Sequence, residues 1–178
     1  MLAERFNVAG ATVVDHHTWV IASDGDLMEG VAHETASLAG HLGLGKLIVF
    51  WDDNRITIDG TTEISFPEDV GARHEAYGWQ VLRLDDVDDM EAIDAVVEQA
   101  RADEARPTLV VTRTHIGIGS PRQDTPQAHG EPLGAENIRL TKQAYGWPED
   151  SEFLVPDQVR EAYASVAERG ASAGQEWD

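Results

Sequence analysis

The chain has 178 residues, of which 42% are hydrophobic, so it is long enough for one domain with a sizeable core. Its formal net charge of −20 argues against binding to nucleic acid, because the phosphates would be repelled. The sequence contains no cysteine, which excludes disulfides and thiolate metal sites. It also has no apolar run of about 18 residues, so we expect no transmembrane helix and no membrane partner. Residues 1–6 lack the basic-then-apolar layout of a signal peptide, so we expect a cytoplasmic location.

The first predicted unit is a strand, a helix and a second strand. His17–Ala22 is rich in β-branched and aromatic residues, which is typical of a strand. Apolar or small residues recur at helical spacing over Met28–Leu42, and the glycines at Gly43–Gly45 end this helix. Leu47–Trp51 is a continuous apolar run, as expected of a strand buried on both faces.

The same alternation continues through the middle of the chain. The pattern predicts a helix over Pro67–Tyr77, a strand over Trp79–Leu84, an amphipathic helix over Met90–Arg101 and a strand over Pro107–Thr112. Repeated strand–helix–strand units favour an α/β fold with a parallel sheet flanked by helices. We interpret the acidic stretch Asp85–Asp89 as a solvated turn, with a calcium loop as the alternative.

The C-terminal part begins with a long connection. His115–Gly134 is rich in Gly, Pro, Gln and Asp, and a connection of this length is functional or mobile. Helices are predicted over Ala135–Tyr145 and Pro156–Arg169, and we expect the small, polar tail Gly170–Asp178 to fray.

A candidate ligand site follows the first strand. Asp24 lies just past the carboxyl end of that strand, the edge at which open α/β sheets bind ligands. A helix N-terminus near Met28 would offer free N–H groups, and Gly25 would let the backbone approach an anion such as a diphosphate. Asp24 would repel that anion unless a hard cation lies between them.

A second set of oxygens follows the next strand, at Asp52, Asp53, Asn54 and the backbone of Ile56. The ends of neighbouring parallel strands lie about 5 Å apart, so one crossover unit can bring Asp24 and Asn54 to one cation. Taken alone, Asp-Gly and Asp-Asp-Asn are also ordinary turn chemistry, and that interpretation stays open at this point.

The longer segments are more specific. They are SDGDLMEGVAHETASLAGHLGLGKLIVFWDDNRITIDG, FPEDVGARHEAYGW, PTLVVTRTHIGIGSP and AHGEPLGAENIRLTKQAYGWPED. In this order they resemble the thiamine diphosphate-binding domain of transketolases, whose motif runs from Gly-Asp-Gly to a later Asn. The resemblance extends from Met1 to Pro156. It implies a thiamine diphosphate-binding fold, with residues 1–155 as the diphosphate-binding domain and residues 156–178 as a helix and tail leading to the next domain.

The resemblance also implies roles for particular residues. Asp24, Asn54 and the carbonyl of Ile56 would bind Mg²⁺ or Ca²⁺. Gly25 would contact the cofactor diphosphate through its backbone. Ile58 would lie near the thiazolium ring, unless it is an ordinary core residue.

Three further residues match family positions with catalytic roles. His129 would contact the diphosphate and the substrate, and the alternative for a loop histidine is a surface role. Glu29 and Glu34 would lie near a subunit interface and link paired active sites; otherwise they are solvent-facing helix residues. Because the other positions of that helix are mostly apolar or small, we expect both glutamates to need polar partners. His115 has no equally firm counterpart and is interpreted as a loop residue.

The family reaction transfers a two-carbon ketol unit between sugar phosphates, in a homodimer. Two features of this chain differ from the family pattern. Ser23 stands where the motif has glycine, and Met1 aligns within a helix of the pattern, so we expect the sheet to lack its first strands. We therefore expect the chain alone to be inactive and to need complementary transketolase domains or a partner subunit. The alternatives are a non-catalytic truncated fragment, or a related enzyme such as dihydroxyacetone synthase.

Overall fold

The computed structural model describes residues 2–177 and contains a four-stranded parallel sheet. Its strands are β1 (Thr18–Ser23), β2 (Leu47–Asp53), β3 (Gln80–Leu84) and β4 (Thr108–Arg113), in the order β1-β2-β4-β3. All three pairings are parallel, which confirms the predicted α/β class.

Helices connect the strands and follow the last of them. They are α1 (Leu2–Phe6), α2 (Asp24–Met28), α3 (Gly30–His41), α4 (Val70–Ala76), α5 (Met90–Ala102), α6 (Pro126–Gly130), α7 (Ala135–Ala144) and α8 (Asp157–Trp177), with a 3₁₀ turn at Thr62–Ile64. Among residues 2–177, no helix is both long and apolar enough to cross a membrane.

The core lies on the two faces of β4, because successive strand residues point to opposite faces. Leu109 and Val111 pack with Ala36 of α3 and Val70 of α4 on one face. On the opposite face Val110 belongs to a second cluster, whose other members are Ile48, Leu84, Val96 and Ala100. Thr108–Thr112 are buried throughout, as expected of an inner strand covered on both sides.

The β1 side of the sheet is more open than the sequence predicts. Ile48 and Trp51 of β2 are buried, but Leu47, Val49 and Phe50 are only half-buried. In the neighbouring edge strand β1, Ile21 is 84% exposed. The apolar run of β2 is therefore not fully covered on both faces among the described residues.

Close backbone packing holds α3 against the sheet. A Cβ atom on Gly40 would lie 1.8 Å from the carbonyl oxygen of Tyr77, so only glycine fits there. The indole N–H of Trp79 donates a hydrogen bond to the Ala36 carbonyl at 2.8 Å. These contacts fix the helix that follows the candidate site.

Three element predictions were wrong in detail. The single helix expected over Met28–Leu42 is two helices, because Glu29 is extended (φ −68, ψ 137) and separates α2 from α3. The connection from His115 to Gly134 contains α6. Helix α8 continues to Trp177 through most of the tail expected to fray, since Ala171, Ala173 and Glu176 favour helix. The proposed division after residue 155 stays a prediction.

Candidate functional site

The carboxyl ends of β1 and β2 lie level with each other. The parallel register pairs Ala22 with Trp51 and Ser23 with Asp52. Asp24 follows β1 directly, and Asn54 follows β2 directly. The crossover therefore places the two predicted ligand residues at the same edge of the sheet, as the sequence predicts.

Asp24 is the most unusual group at this edge. It is 3% exposed, and its Oδ1 accepts a hydrogen bond from the indole Nε1 of Trp51 at 3.0 Å. Its Oδ2 is buried and has no hydrogen-bond partner among the described residues. A buried, half-satisfied carboxylate is costly unless a positive charge compensates it.

The electrostatics agree with the geometry. The pKa of Asp24 is raised to about 6, mainly by burial and to a smaller extent by the nearby Asp53 and Asp52 carboxylates. The hydrogen bond from Trp51 lowers the pKa of Asp24, because it stabilises the charged carboxylate. The backbone N–H of Arg55 acts in the same direction, although it does not form a hydrogen bond with Oδ2. A cation at Oδ2 would reverse the balance and hold the carboxylate ionised.

The turn after β2 orients the other two predicted ligands. Asn54 is 9% exposed, and its Oδ1 accepts a hydrogen bond from the Ile56 N–H at 2.9 Å. Arg55 is left-handed (φ 64), which reverses the chain at this point. An amide oxygen has two lone pairs, so one remains for a cation.

Ile56 faces Thr61 across an isolated antiparallel bridge. The bridging hydrogen bonds come from the flanking residues, Thr62 N–H to Arg55 O at 3.0 Å and Thr57 N–H to Gly60 O at 2.7 Å. In such a non-hydrogen-bonded pair the Ile56 carbonyl does not take part in the ladder and stays free to accept.

This donor set is small. Within residues 2–177, no group of three or more His, Asp or Glu side chains is arranged to hold a metal ion. One carboxylate, one amide oxygen and one carbonyl fit a hard cation such as Mg²⁺ or Ca²⁺, provided that a ligand supplies further oxygens. The residues thus fit a cation shared with a diphosphate better than a closed metal site.

Ser23 does not disturb this edge. Its backbone is extended (φ −93, ψ 174), so the position has no left-handed conformation that would require glycine. Ser23 caps α2, and the Asp26 carboxylate accepts hydrogen bonds from both its N–H and its hydroxyl at 2.8 Å. The helix accordingly begins at Asp24 and not near Met28. A Cβ atom at Gly25 would meet only the Ser23 hydroxyl, at 3.9 Å, so its far side is open to a bulky anion.

His129 and Ile58 lie in neighbouring segments. His129 is exposed on α6, whose first turn is capped by Thr125. Ile58 is 62% exposed and lies against the end of that helix, since a Cβ atom on Gly130 would come within 3.1 Å of the Ile58 Cγ1. The structure thus brings both residues towards one region, while their roles stay predictions.

Glu29 and Glu34 do not lie on one helix. Glu29 is the extended residue between α2 and α3, whereas Glu34 is in α3, and both are exposed. Among residues 2–177 neither glutamate has an ion pair or a side-chain hydrogen bond within the chain. The polar partners expected for them, and their place near a subunit interface, stay predictions.

Two contacts near the site were not expected from the sequence. One is the hydrogen bond from Trp51 to Asp24. The other joins His115 Nδ1, in the loop after β4, to the Asp124 carboxylate at 2.8 Å. The first contact depends on the register of β1 and β2, and the second on how the loop closes. Neither feature can be predicted from the spacing of residues along the sequence.

Comparisons with known proteins agree with this architecture. The family model described as "Transketolase, thiamine diphosphate binding domain" matches residues 1–178. The chain is 49% identical over 179 residues to a transketolase of Bacillus subtilis, covering 99% of this chain and 27% of that protein. It is 46% identical over 177 residues to a transketolase of Aquifex aeolicus, covering 99% of this chain and 25% of that protein.

Solved structures give the same result. A Pichia stipitis transketolase in complex with sedoheptulose 7-phosphate matches with a TM-score of 0.94 and 43% identity, over 99% of this chain and 26% of that one. A Leishmania mexicana transketolase matches with a TM-score of 0.93 and 39% identity, over the same shares of the two chains. The chain spans about a quarter of the length of these relatives.

Proposed function

Because the chain belongs to the transketolase family and matches its thiamine diphosphate-binding domain, we propose that it binds the cofactor through a divalent cation. The cation, Mg²⁺ or Ca²⁺, is held by the Asp24 carboxylate, the Asn54 side-chain oxygen and the Ile56 carbonyl. Hard cations take this type of oxygen ligand, and the cofactor diphosphate completes the shell.

One observation carries the proposal: the buried Oδ2 of Asp24 has no hydrogen-bond partner within residues 2–177, and the pKa of this carboxyl is raised to about 6. An aspartate serving only the fold would cost stability in this state. The same group becomes favourable when a cation binds, because the cation offsets the desolvation of the carboxylate.

The remaining residues act on the bound cofactor, which supplies a carbanion and an electron sink for chemistry at a carbonyl. The Gly25 backbone approaches the diphosphate from the open side of α2. Ile58 packs near the ring of the cofactor. His129 donates a hydrogen bond to an oxyanion of cofactor or substrate.

The proposed activity of the whole enzyme is transfer of a two-carbon ketol unit between sugar phosphates. The solved complex of the Pichia stipitis relative with sedoheptulose 7-phosphate supports this substrate class. Glu29 and Glu34 link paired active sites of a homodimer in this proposal, and their exposure leaves them accessible to a partner. The cytoplasmic location stays a prediction.

Calorimetry tests the cofactor site. Thiamine diphosphate is titrated into the chain with and without Mg²⁺, and Mg²⁺-dependent binding is expected for the wild type. Asp24→Asn keeps the size of the side chain and its acceptor for Trp51, but it removes the charge. We expect it to weaken binding by about 100-fold or more, the scale of a lost charged ligand.

The matched control is Asp94→Asn, which removes the same charge from an exposed position on α5. It should leave the affinity unchanged. Equal binding by the wild type and Asp24→Asn would refute the assignment of Asp24.

Turnover is tested separately from binding. The cofactor-loaded chain is incubated with sedoheptulose 7-phosphate and an aldose phosphate, alone and with the other domains of a transketolase. We expect ketol transfer only in the mixture. Binding without turnover in either sample would favour the non-catalytic alternative.

A further inference from the structure

Trp51 is placed against Asp24 by the sheet itself. The register pairs Trp51 with Ala22, two residues before Asp24, so the indole extends beside the first turn of α2. Trp51 is 8% exposed and belongs to the same core cluster as Ala22 and Leu27. Packing on this scale fixes the ring, so its N–H points in one direction.

The indole N–H can only donate, and its acceptor here is Oδ1 of Asp24 at 3.0 Å, in a buried contact. A hydrogen bond from a neutral donor to a carboxylate is stronger than one between neutral groups. Trp51 therefore holds Oδ1 of the carboxylate, while Oδ2 has no hydrogen-bond partner in the described part of the chain.

We propose that Trp51 is a specificity-determining residue that restricts Asp24 to binding a cation through one oxygen, and thereby favours Mg²⁺ over Ca²⁺. This inference rests on the proposed function, because it concerns the same cation site. It adds a residue, a mode of coordination and a choice between the two cations that the donor set alone leaves open.

The physical reason lies in how the two cations use carboxylates. Mg²⁺ requires a near-ideal octahedral shell, with ligands at about 2.0–2.1 Å, and takes one oxygen from each carboxylate. Ca²⁺ accepts about six to eight oxygens at longer distances and readily takes both oxygens of one carboxylate. To bind Ca²⁺ in that second way, Asp24 must break its bond to Trp51 and leave a buried indole N–H without an acceptor, which is costly.

The substitution Trp51→Phe tests the proposal, because it removes the N–H while keeping an aromatic ring. Mg²⁺ and Ca²⁺ are titrated separately into the chain by calorimetry, in the presence of thiamine diphosphate. We expect the ratio of the Ca²⁺ dissociation constant to the Mg²⁺ dissociation constant to fall by about fivefold, the factor that one net hydrogen bond is worth.

The matched control is Trp79→Phe. Trp79 is 4% exposed, and its indole donates to the Ala36 carbonyl at 2.8 Å, away from the site. This variant loses a comparable buried hydrogen bond, so it should lose stability without changing the ratio. A general loss of packing would weaken both cations alike, and only a change in the mode of coordination alters their ratio.

A measurement on the wild type covers the case in which Trp51→Phe does not fold. The indole N–H resonance of Trp51 is followed by ¹H–¹⁵N NMR as the site is saturated with each cation. We expect its hydrogen-bonded shift to persist with Mg²⁺ and to change with Ca²⁺.

The outcomes are distinct. Loss of the hydrogen-bonded resonance on Mg²⁺ binding, or an unchanged ratio in Trp51→Phe, would overturn this inference while the cofactor site stands. A wild-type chain that binds neither cation would overturn the proposed function and this inference together.

Discussion

Asp24 and His74 are both 3% exposed, yet the two regions around them are built differently. His74 lies in α4, where its Nδ1 is 2.8 Å from the Val70 carbonyl and its ring packs edge-on against Trp79. Asp24 lies at the carboxyl end of β1, and its Oδ2 has no hydrogen-bond partner among residues 2–177. The His74 side chain is therefore hydrogen-bonded within the chain, whereas the Asp24 carboxylate is only half satisfied there.

The two groups also respond to pH in opposite directions. Burial raises the pKa of Asp24 to about 6, so the stability linked to it is present at low pH and is lost as the pH rises through that value. Burial lowers the pKa of His74, so its contribution is present above the unfolded value and is lost as the pH falls through the lower folded value.

The largest change in stability is expected for a substitution of Asp24, at the carboxyl end of β1. Asp24→Asn removes a charge that is costly to bury, so in the absence of cation it should stabilise the chain by about 1–3 kcal/mol at pH 8. The gain should disappear below about pH 3, where the wild-type carboxyl is largely protonated in both folded and unfolded chains. Urea unfolding at several pH values measures this, and destabilisation at pH 8 would show that Asp24 serves the fold.

A smaller effect is expected in the packed helix. His74→Phe keeps a ring against Trp79 but removes the bond to Val70, which should cost about 1 kcal/mol at pH 7. Since phenylalanine does not titrate, the loss of stability between pH 7 and pH 5 should become less steep than in the wild type. Thermal unfolding across this range checks the slope. An unchanged slope would mean that groups other than His74 carry the acid sensitivity.

The smallest change in stability and in Mg²⁺ affinity is expected at Ser23, the residue before Asp24. Ser23→Gly restores the glycine of the family motif, but the backbone at Ser23 is extended and gains nothing from glycine. Glycine is also an acceptable N-cap, so the loss of stability should be only about 0.3 kcal/mol. Mg²⁺ affinity should stay within about twofold of the wild type, and a tenfold gain on calorimetry would mean that Ser23 obstructs the site.

Most helices and strands could be predicted from the sequence, because their patterns depend on residues close together in the chain. The apolar runs of β2 and β4 and the helical spacing of α5 depend on neighbours along the chain, so pattern rules predict them. The parallel sheet, and the position of Asp24 and Asn54 at one edge of it, followed from the order of these elements.

Other features depend on contacts distant in sequence. The break at Glu29 has no signature in the apolar spacing, and the hydrogen bond from Trp51 to Asp24 exists only because the register sets Ala22 beside Trp51. The contact of His115 with Asp124 likewise needs the loop to close. The order of the elements thus predicts that Asp24 and Asn54 lie at one edge of the sheet, but not how the fold orients their side chains.

The central claim is that the Asp24 carboxylate lowers the free energy of unfolding of the free chain and raises it when the cation is bound. The most direct test measures the melting temperatures of the wild type and Asp24→Asn at pH 8, with and without Mg²⁺ and thiamine diphosphate. We predict that Asp24→Asn melts higher without ligand, that only the wild type gains on addition, and that the order of the two proteins reverses. Equal gains in both proteins, or no gain in the wild type, would contradict the account.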